Sequence, residues 1–269
     1  ILTSDIQLKF ALNAFGKDIV YDVPEEFWKE NGGVLDYKTV TISATPPNKS
    51  APANFYVSLT GDGQIELMSI LKLQGHFGIL FSVTGSQVLA ELSVGATVVS
   101  PVLKLGAVGT LGFSNSGLYG SLNVTGLGPN EEIIGVPGVF SIGGSFLLQI
   151  NTTDQDQSVL ELEKIDGVFT GNMITPPADK PNLPKQTFHL AGKAHVTIAS
   201  VMELKGSIDI LINKDGFQAA LDVSLDLGFI GKVGVKGYAA ILATDEGPVF
   251  ALKASLYVDL GIDIINLRA

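Results

Sequence analysis

Three histidines, His76, His189 and His195, are the residues of this 269-residue chain best suited to proton transfer or metal ligation near neutral pH. His189 and His195 are six apart. On a strand they share one face but stand about 20 Å apart at ~3.3 Å per residue, too far for one ion. The positions 131 residues earlier are Ser58 and Gln64, so a metal site there does not recur. The chain has no cysteine, which removes disulfides, thiolate nucleophiles and Cys-based metal sites together. No G-x-S-x-G elbow and no G-x-x-x-x-G-K-[ST] loop is present. Gly61-Asp62-Gly63 and Gly126-Leu127-Gly128 read as turn glycines rather than phosphate cradles. The stretch Asn151 to Ser158 has the alternating acids that open a calcium loop, but Val159 stands where that loop needs glycine and Ile165 where it needs glutamate. Asp222/Asp226 and Asp259/Asp263 fall on the wet side of alternating segments, where solubility accounts for them. Asn48, Asn123 and Asn151 sit in N-x-[ST] triplets that matter only in a eukaryotic secretory setting. No catalytic, cofactor-binding or metal-ligating residue is therefore assigned, and the chain is expected not to be an enzyme.

The elements that would carry such residues are strands. Leu204, Gly206, Ile208, Ile210 and Ile212 alternate with Glu203, Lys205, Ser207, Asp209 and Asn213, the period of two that marks a half-buried strand. Lys214-Asp215-Gly216 turns the chain, since Asp-Gly tolerates positive φ. Phe217 to Leu227 alternates again, and after Asp245-Glu246-Gly247 so does Phe250 to Ile264. This predicts an antiparallel meander of strands about 10 to 15 residues long, with a dry face and a wet face. Ile208, Ile210, Leu221, Val223, Leu252 and Leu256, with Leu73, Phe77, Ile79 and Leu92 earlier, are the expected core. Asp209, Asp222, Lys253 and Asp259 are expected to be exposed. Only Pro24 to Asn31 reads as helical, with proline in its first turn and acids behind it.

The pattern repeats. At an offset of 131, Ser69 to Gly75 falls on Ser200 to Gly206, and Gly61, Gly75, Gly85 and Gly106 fall on Gly192, Gly206, Gly216 and Gly237. Gly117 and Leu122 answer Gly247 and Leu252 at 130. Thr45-Pro46-Pro47 answers Thr175-Pro176-Pro177, and Leu8 to Asn13 resembles Phe146 to Asn151 at 138. Turn glycines and apolar phase recurring together mark an internal repeat. The fold class expected is all-β with almost no helix: two tandem homologous modules, residues 1–138 and 139–269, of long antiparallel meander strands forming a sandwich, a barrel-like body or an elongated curved sheet. The proline-rich stretches Thr45 to Ala53 and Ile174 to Gln186 read as extended crossovers. Ile1 and Ala269 fall at one phase of the repeat, so the chain is expected to be processed or a piece of a longer array.

Composition excludes other classes. Hydrophobic residues make up 46% and charged residues 16%, too apolar for disorder. A net charge of −10 opposes phosphate backbones, so nucleic acid is not an expected partner. Phe77 to Phe113 is the most apolar stretch, but it holds Glu91 and Lys104 and alternates, which is not a transmembrane helix.

Gly144 to Thr153, together with meanders such as Gly206 to Asn213, resembles the tandem β-rich modules of giant bacterial cell-surface or extracellular proteins. That resemblance implies a non-catalytic structural segment of an adhesin, stalk or fibre at the bacterial envelope, with neighbouring copies of the repeat as head-to-tail partners and no cofactor. The glycine-punctuated amphipathic strands also look like the envelope lipid-transfer proteins of the AsmA and TamB kind, which implies an apolar groove open to lipid. An outer-membrane barrel would need aromatic girdles, and aromatics total 8% with a single Trp28. Closure separates the first two readings. A structural array needs each module sealed, whereas lipid carriage needs an apolar channel that crosses the module boundary.

Overall fold

A computed structural model describes residues 2–67, 70–136, 138–199, 201–244 and 247–259. Its strands are β1 (Leu2–Asn13), β2 (Ile19–Asp22), β3 (Thr39–Ile42), β4 (Phe55–Leu67), β5 (Leu71–Thr84), β6 (Gln87–Val99), β7 (Lys104–Ser114), β8 (Gly117–Gly126) and β9 (Glu132–Val136). They continue with β10 (Phe140–Asn151), β11 (Glu161–Ile165), β12 (Val168–Ile174), β13 (Thr187–Ile198), β14 (Met202–Asn213), β15 (Gly216–Asp226), β16 (Lys232–Thr244) and β17 (Gly247–Asp259). The protein is all-β. Where a helix was expected, Pro24 to Asn31 makes two 3₁₀ turns, Glu25–Phe27 and Lys29–Asn31, closed by Gly32 in the left-handed conformation. Leu260, Ile262, Asp263 and Ile264, and the Asp245-Glu246 turn, lie outside the described residues.

One antiparallel sheet of 13 strands dominates, in the order β1-β4-β5-β6-β7-β8-β10-β13-β14-β15-β16-β17, with β9 beside β10. It passes from β8 to β10 without a break, Leu122 standing opposite Leu148. Nearly every step is a hairpin between sequence neighbours, which is why the order is read almost directly from the chain. The exceptions are β8 to β10, with β9 between them in the chain, and the two longer excursions β1 to β4 and β10 to β13. Each excursion leaves the sheet, forms a small two-stranded hairpin, β2–β3 or β11–β12, and returns to pair with the strand it left.

These two excursions share register. Leu2 pairs with Leu67 and Asn13 with Tyr56, while Phe140 pairs with Ile198 and Asn151 with Thr187. The offsets are 138 on the first strand and 131 on the second in both cases. The next hairpins keep them, Val57 facing Phe81 as Phe188 faces Ile212. There the offset stops. Gly85 lies in the two-residue loop between Thr84 and Gln87 with φ of 60°, but Gly216 is the first residue of β15, opposite Asn213, with φ of 132°. The β14–β15 hairpin is shorter, so the ungapped offset of 131 gives way to a different alignment beyond it.

Because opposed residues share a face, the registers define two faces over the twelve strands of the path. One carries Ser58, Leu80, Thr97, Val108, Thr110, Tyr119, Asn151 and Ser224, all buried. The β11–β12 hairpin and the segment between β3 and β4 cover part of it. Leu160 and Leu162 pack on Val108 with Leu127, Phe169 and Met173, and Ala53 packs with Tyr56 and Leu80. Glycine makes room for this cover: a Cβ on Gly95 would stand 2.3 Å from Met173 Sδ, and one on Gly106 2.7 Å from Leu162 Cδ1.

The other face corrects the expected core. Ile208, Leu221, Val223, Leu252, Leu256, Leu73, Ile79 and Leu92 lie together on it as the alternation requires, but they are exposed; Ile210 and Phe77 are half-buried. Alternation fixes which residues share a face and is silent on what, if anything, covers that face. Asp209, Lys253 and Asp259 are exposed on the opposite side, where Asp222 is half-buried beside Lys236.

Candidate functional site

The covered face holds the polar chemistry. Asn13 and Asn151, both about 1% exposed, end β1 and β10 and are wired alike. Asn13 Nδ2 donates to the carbonyls of Lys17, Ile42 and Ser43, and its Oδ1 accepts from Phe15 N–H. Asn151 Nδ2 donates to the carbonyls of Gln155, Leu183 and Pro184, and its Oδ1 accepts from Thr153 N–H. Each asparagine ties its crossover to its strand, and the engaged, buried amide of Asn151 is no acceptor for a glycan. Asp156 accepts from Lys185 N–H, which gives the calcium-like stretch a structural use.

His76 lies on β5 between Asp62 of β4 and Ser93 of β6. Its Nδ1 is 2.6 Å from Asp62 Oδ1 and its Nε2 is 3.4 Å from Ser93 Oγ. Sequence reading missed this group because its members sit on three strands, and only register brings them together. The connectivity is that of an Asp-His-Ser triad, but the surroundings are not. The adjoining cavity holds about 40 Å³, little more than one water at ~30 Å³. Ser93 lies mid-strand between Gly78 and Thr110, where backbone N–H groups are committed to the ladder and not free to hold an oxyanion. Gly61-Asp62-Gly63, expected as a turn, is interior to β4: the Phe77 ring lies over Gly61, where a side chain would collide with it.

His189 bridges Gln149 and Asp209 across β10, β13 and β14, while His195 packs against Gly143. The two stay apart along β13, and among the described residues no three His, Asp or Glu side chains converge on a common point. His195 lines a polar trough of about 900 Å³ over β13 to β17. Three of the trough's lysines are neutralised in place, Lys193 by Glu131 at 2.7 Å, Lys205 by Glu203 at 2.8 Å and Lys236 by Asp222 at 2.8 Å. The Asp222 carboxylate holds the Lys236 ammonium above its ordinary pKa. Such a lattice of paired charges presents little net field to an ion.

The exposed face is different in kind. Through all twelve strands of the path, none of its described side chains is charged; Leu8, Phe10, Phe81, Val94, Leu111, Leu122, Phe146, Leu204 and Ile241 are typical. With strands ~4.8 Å apart and about 11 residues long at ~3.3 Å each, the face covers on the order of 2,000 Å². Monomers rarely expose contiguous apolar patches beyond a few hundred Å². Rows of small residues cross it. Gly63, Gly75, Ala96 and Ala107 stand opposite one another on four successive strands, as do Gly144, Ala194 and Gly206 on three. The first row floors an apolar furrow of about 430 Å³ rimmed by Leu8, Leu73, Phe77 and Val98. A Cβ on Gly75 would meet only Gly95 O, at 4.0 Å, so the furrow is open space and not a collapsed gap.

No protein-family model, no curated protein and no solved structure matches the chain. The sheet and its two faces are the basis for a functional reading. No helix among the described residues is long and apolar enough to cross a membrane.

Proposed function

We propose that the chain is a non-catalytic lipid-contacting sheet, whose apolar face holds acyl chains along its small-residue furrows. The observation that carries this is the charge-free face running unbroken across the β8–β10 junction, the feature that separates an open groove from sealed modules. Hydrocarbon suits this surface because it asks for no hydrogen bond and follows a furrow floored by glycine. A protein partner would ordinarily meet a polar rim and paired polar groups within the patch.

The test is lipid occupancy. Chain purified in mild detergent and then exchanged into buffer should retain phospholipid or take up a fluorescent fatty acid. Ala96→Asp, which puts a carboxylate in the furrow, should weaken uptake at least tenfold, while Ser207→Asp on the opposite face should leave it unchanged. A chain that is monodisperse, lipid-free and indifferent to fatty acid would refute the reading.

A second reading is the structural array at the cell surface, joined through neighbouring copies of the repeat. The shared offsets of the two crossovers and the matched wiring of Asn13 and Asn151 favour repetition. The two readings are compatible when the repeats add strands to one sheet and extend one apolar face.

A further inference from the structure

Six strands lie on the path from β1 to β8, and six more from β10 to β17. Where the first set ends and the second begins, β8 pairs with β10, Tyr119 opposite Asn151 and Leu122 opposite Leu148. Among the described residues no strand lies on the outer edge of β1 or of β17. The consequence is visible in the side chains. Phe10 is 69% and Leu252 85% exposed, against 42% for Ile208 and 45% for Leu221 inside the sheet. Long edges of this kind are templates for another strand.

The geometry points to edge-to-edge joining of copies of this chain, with β1 of one copy adding to β17 of the next, antiparallel and in the register of the β8–β10 junction. β8 begins with Gly117 facing Ser114, and β17 with Gly247 facing Thr244. β1 and β10 end at equivalently bonded asparagines, Asn13 and Asn151. Carrying the junction over by those anchors places Asn13 opposite Val249, Phe10 opposite Leu252, Leu8 opposite Ala254 and Gln7 opposite Ser255. Residues of the apolar face then meet residues of the apolar face, polar-face residues meet polar-face ones, and both faces continue across the joint. The least favourable pair is Lys9 against Lys253, whose long stems can splay into water. This joining does not rest on lipid binding, since it uses the backbone edges and not the open face.

The absence of native cysteine makes the test direct. Gln7→Cys with Ser255→Cys, both exposed on the polar face, should oxidise into disulfide-linked ladders of several copies, because opposed strand residues lie within the 4.4–6.8 Å Cα range a disulfide spans. Gln7→Cys with Leu256→Cys, which point to opposite faces, should not link. The ladders should persist in detergent that fills the apolar face. A chain that stays monomeric on sedimentation at all concentrations, equal linking of both pairs, or linking abolished by detergent would each overturn the proposal, the last by assigning the association to the apolar faces. Fatty-acid uptake, measured separately, leaves this outcome untouched.

Discussion

At the scale of residues, the buried Asn13 and Asn151 place their hydrogen bonds where the backbone leaves the sheet. Removing the buried amide of Asn151 takes the donor from three carbonyls; Asn151→Ala should cost about 1–3 kcal/mol in urea unfolding, and Asn13→Ala a similar amount. Tyr119 supplies a pH test. It is about 1% exposed and donates to Glu91, which also takes Lys49 at 3.0 Å. Burial first, and the Glu91 charge second, push its phenol far above the ordinary 10.0. The sign follows from linkage: a group whose folded pKa is raised gives its full stabilisation below the unfolded pKa and loses it as pH rises past that value. Unfolding free energy should therefore fall above pH 10 by about 1.4 kcal/mol per unit, and Tyr119→Phe should flatten that slope in urea titrations between pH 9 and 11.5. The Asp62–His76–Ser93 group lies mid-sheet beside a cavity of about 40 Å³. His76→Gln should leave fluorophosphonate labelling of the chain at background, as in the parent, while labelling of Ser93 that disappears in the variant would assign it a nucleophile.

At the scale of elements, the meander was legible because a period of two needs only residue type, and Lys214-Asp215 announces its turn. The two small hairpins were not. β2–β3 and β11–β12 are short and take their positions from contacts with a sheet built of distant residues, such as Leu160 N–H to Thr110 Oγ1. Leu162, 4% exposed, holds β11 down on Val108; Leu162→Ala should cost about 2–5 kcal/mol, and Gly106→Val, which drives a side chain into Leu162, about 1–3 kcal/mol. Thermal unfolding of both variants, with far-ultraviolet circular dichroism retained, separates loss of this cover from loss of the sheet.

At the scale of the whole molecule, the open face makes a contrast that sealed architectures do not share. Leu221→Asn on that face should cost under about 1 kcal/mol without lipid, because the side chain is already 45% exposed, whereas Val108→Asn under the β11–β12 cover should cost about 3 kcal/mol or more. Equal, large losses at both sites would mean that something covers the apolar face. The sequence by itself determined the all-β class, the long strands of the meander and which of their residues share a face, since each follows from local alternation and turn chemistry. It also carried the offsets of 138 and 131 that reappear in the registers of β1 with β4 and β10 with β13. Only the tertiary structure decided that the sheet runs unbroken through β8 and β10, that Asp62, His76 and Ser93 meet, and that the apolar side faces outward. Burial is a property of the opposing layer, and alternation along a strand is the same whether that layer is a second sheet, a lipid tail or water.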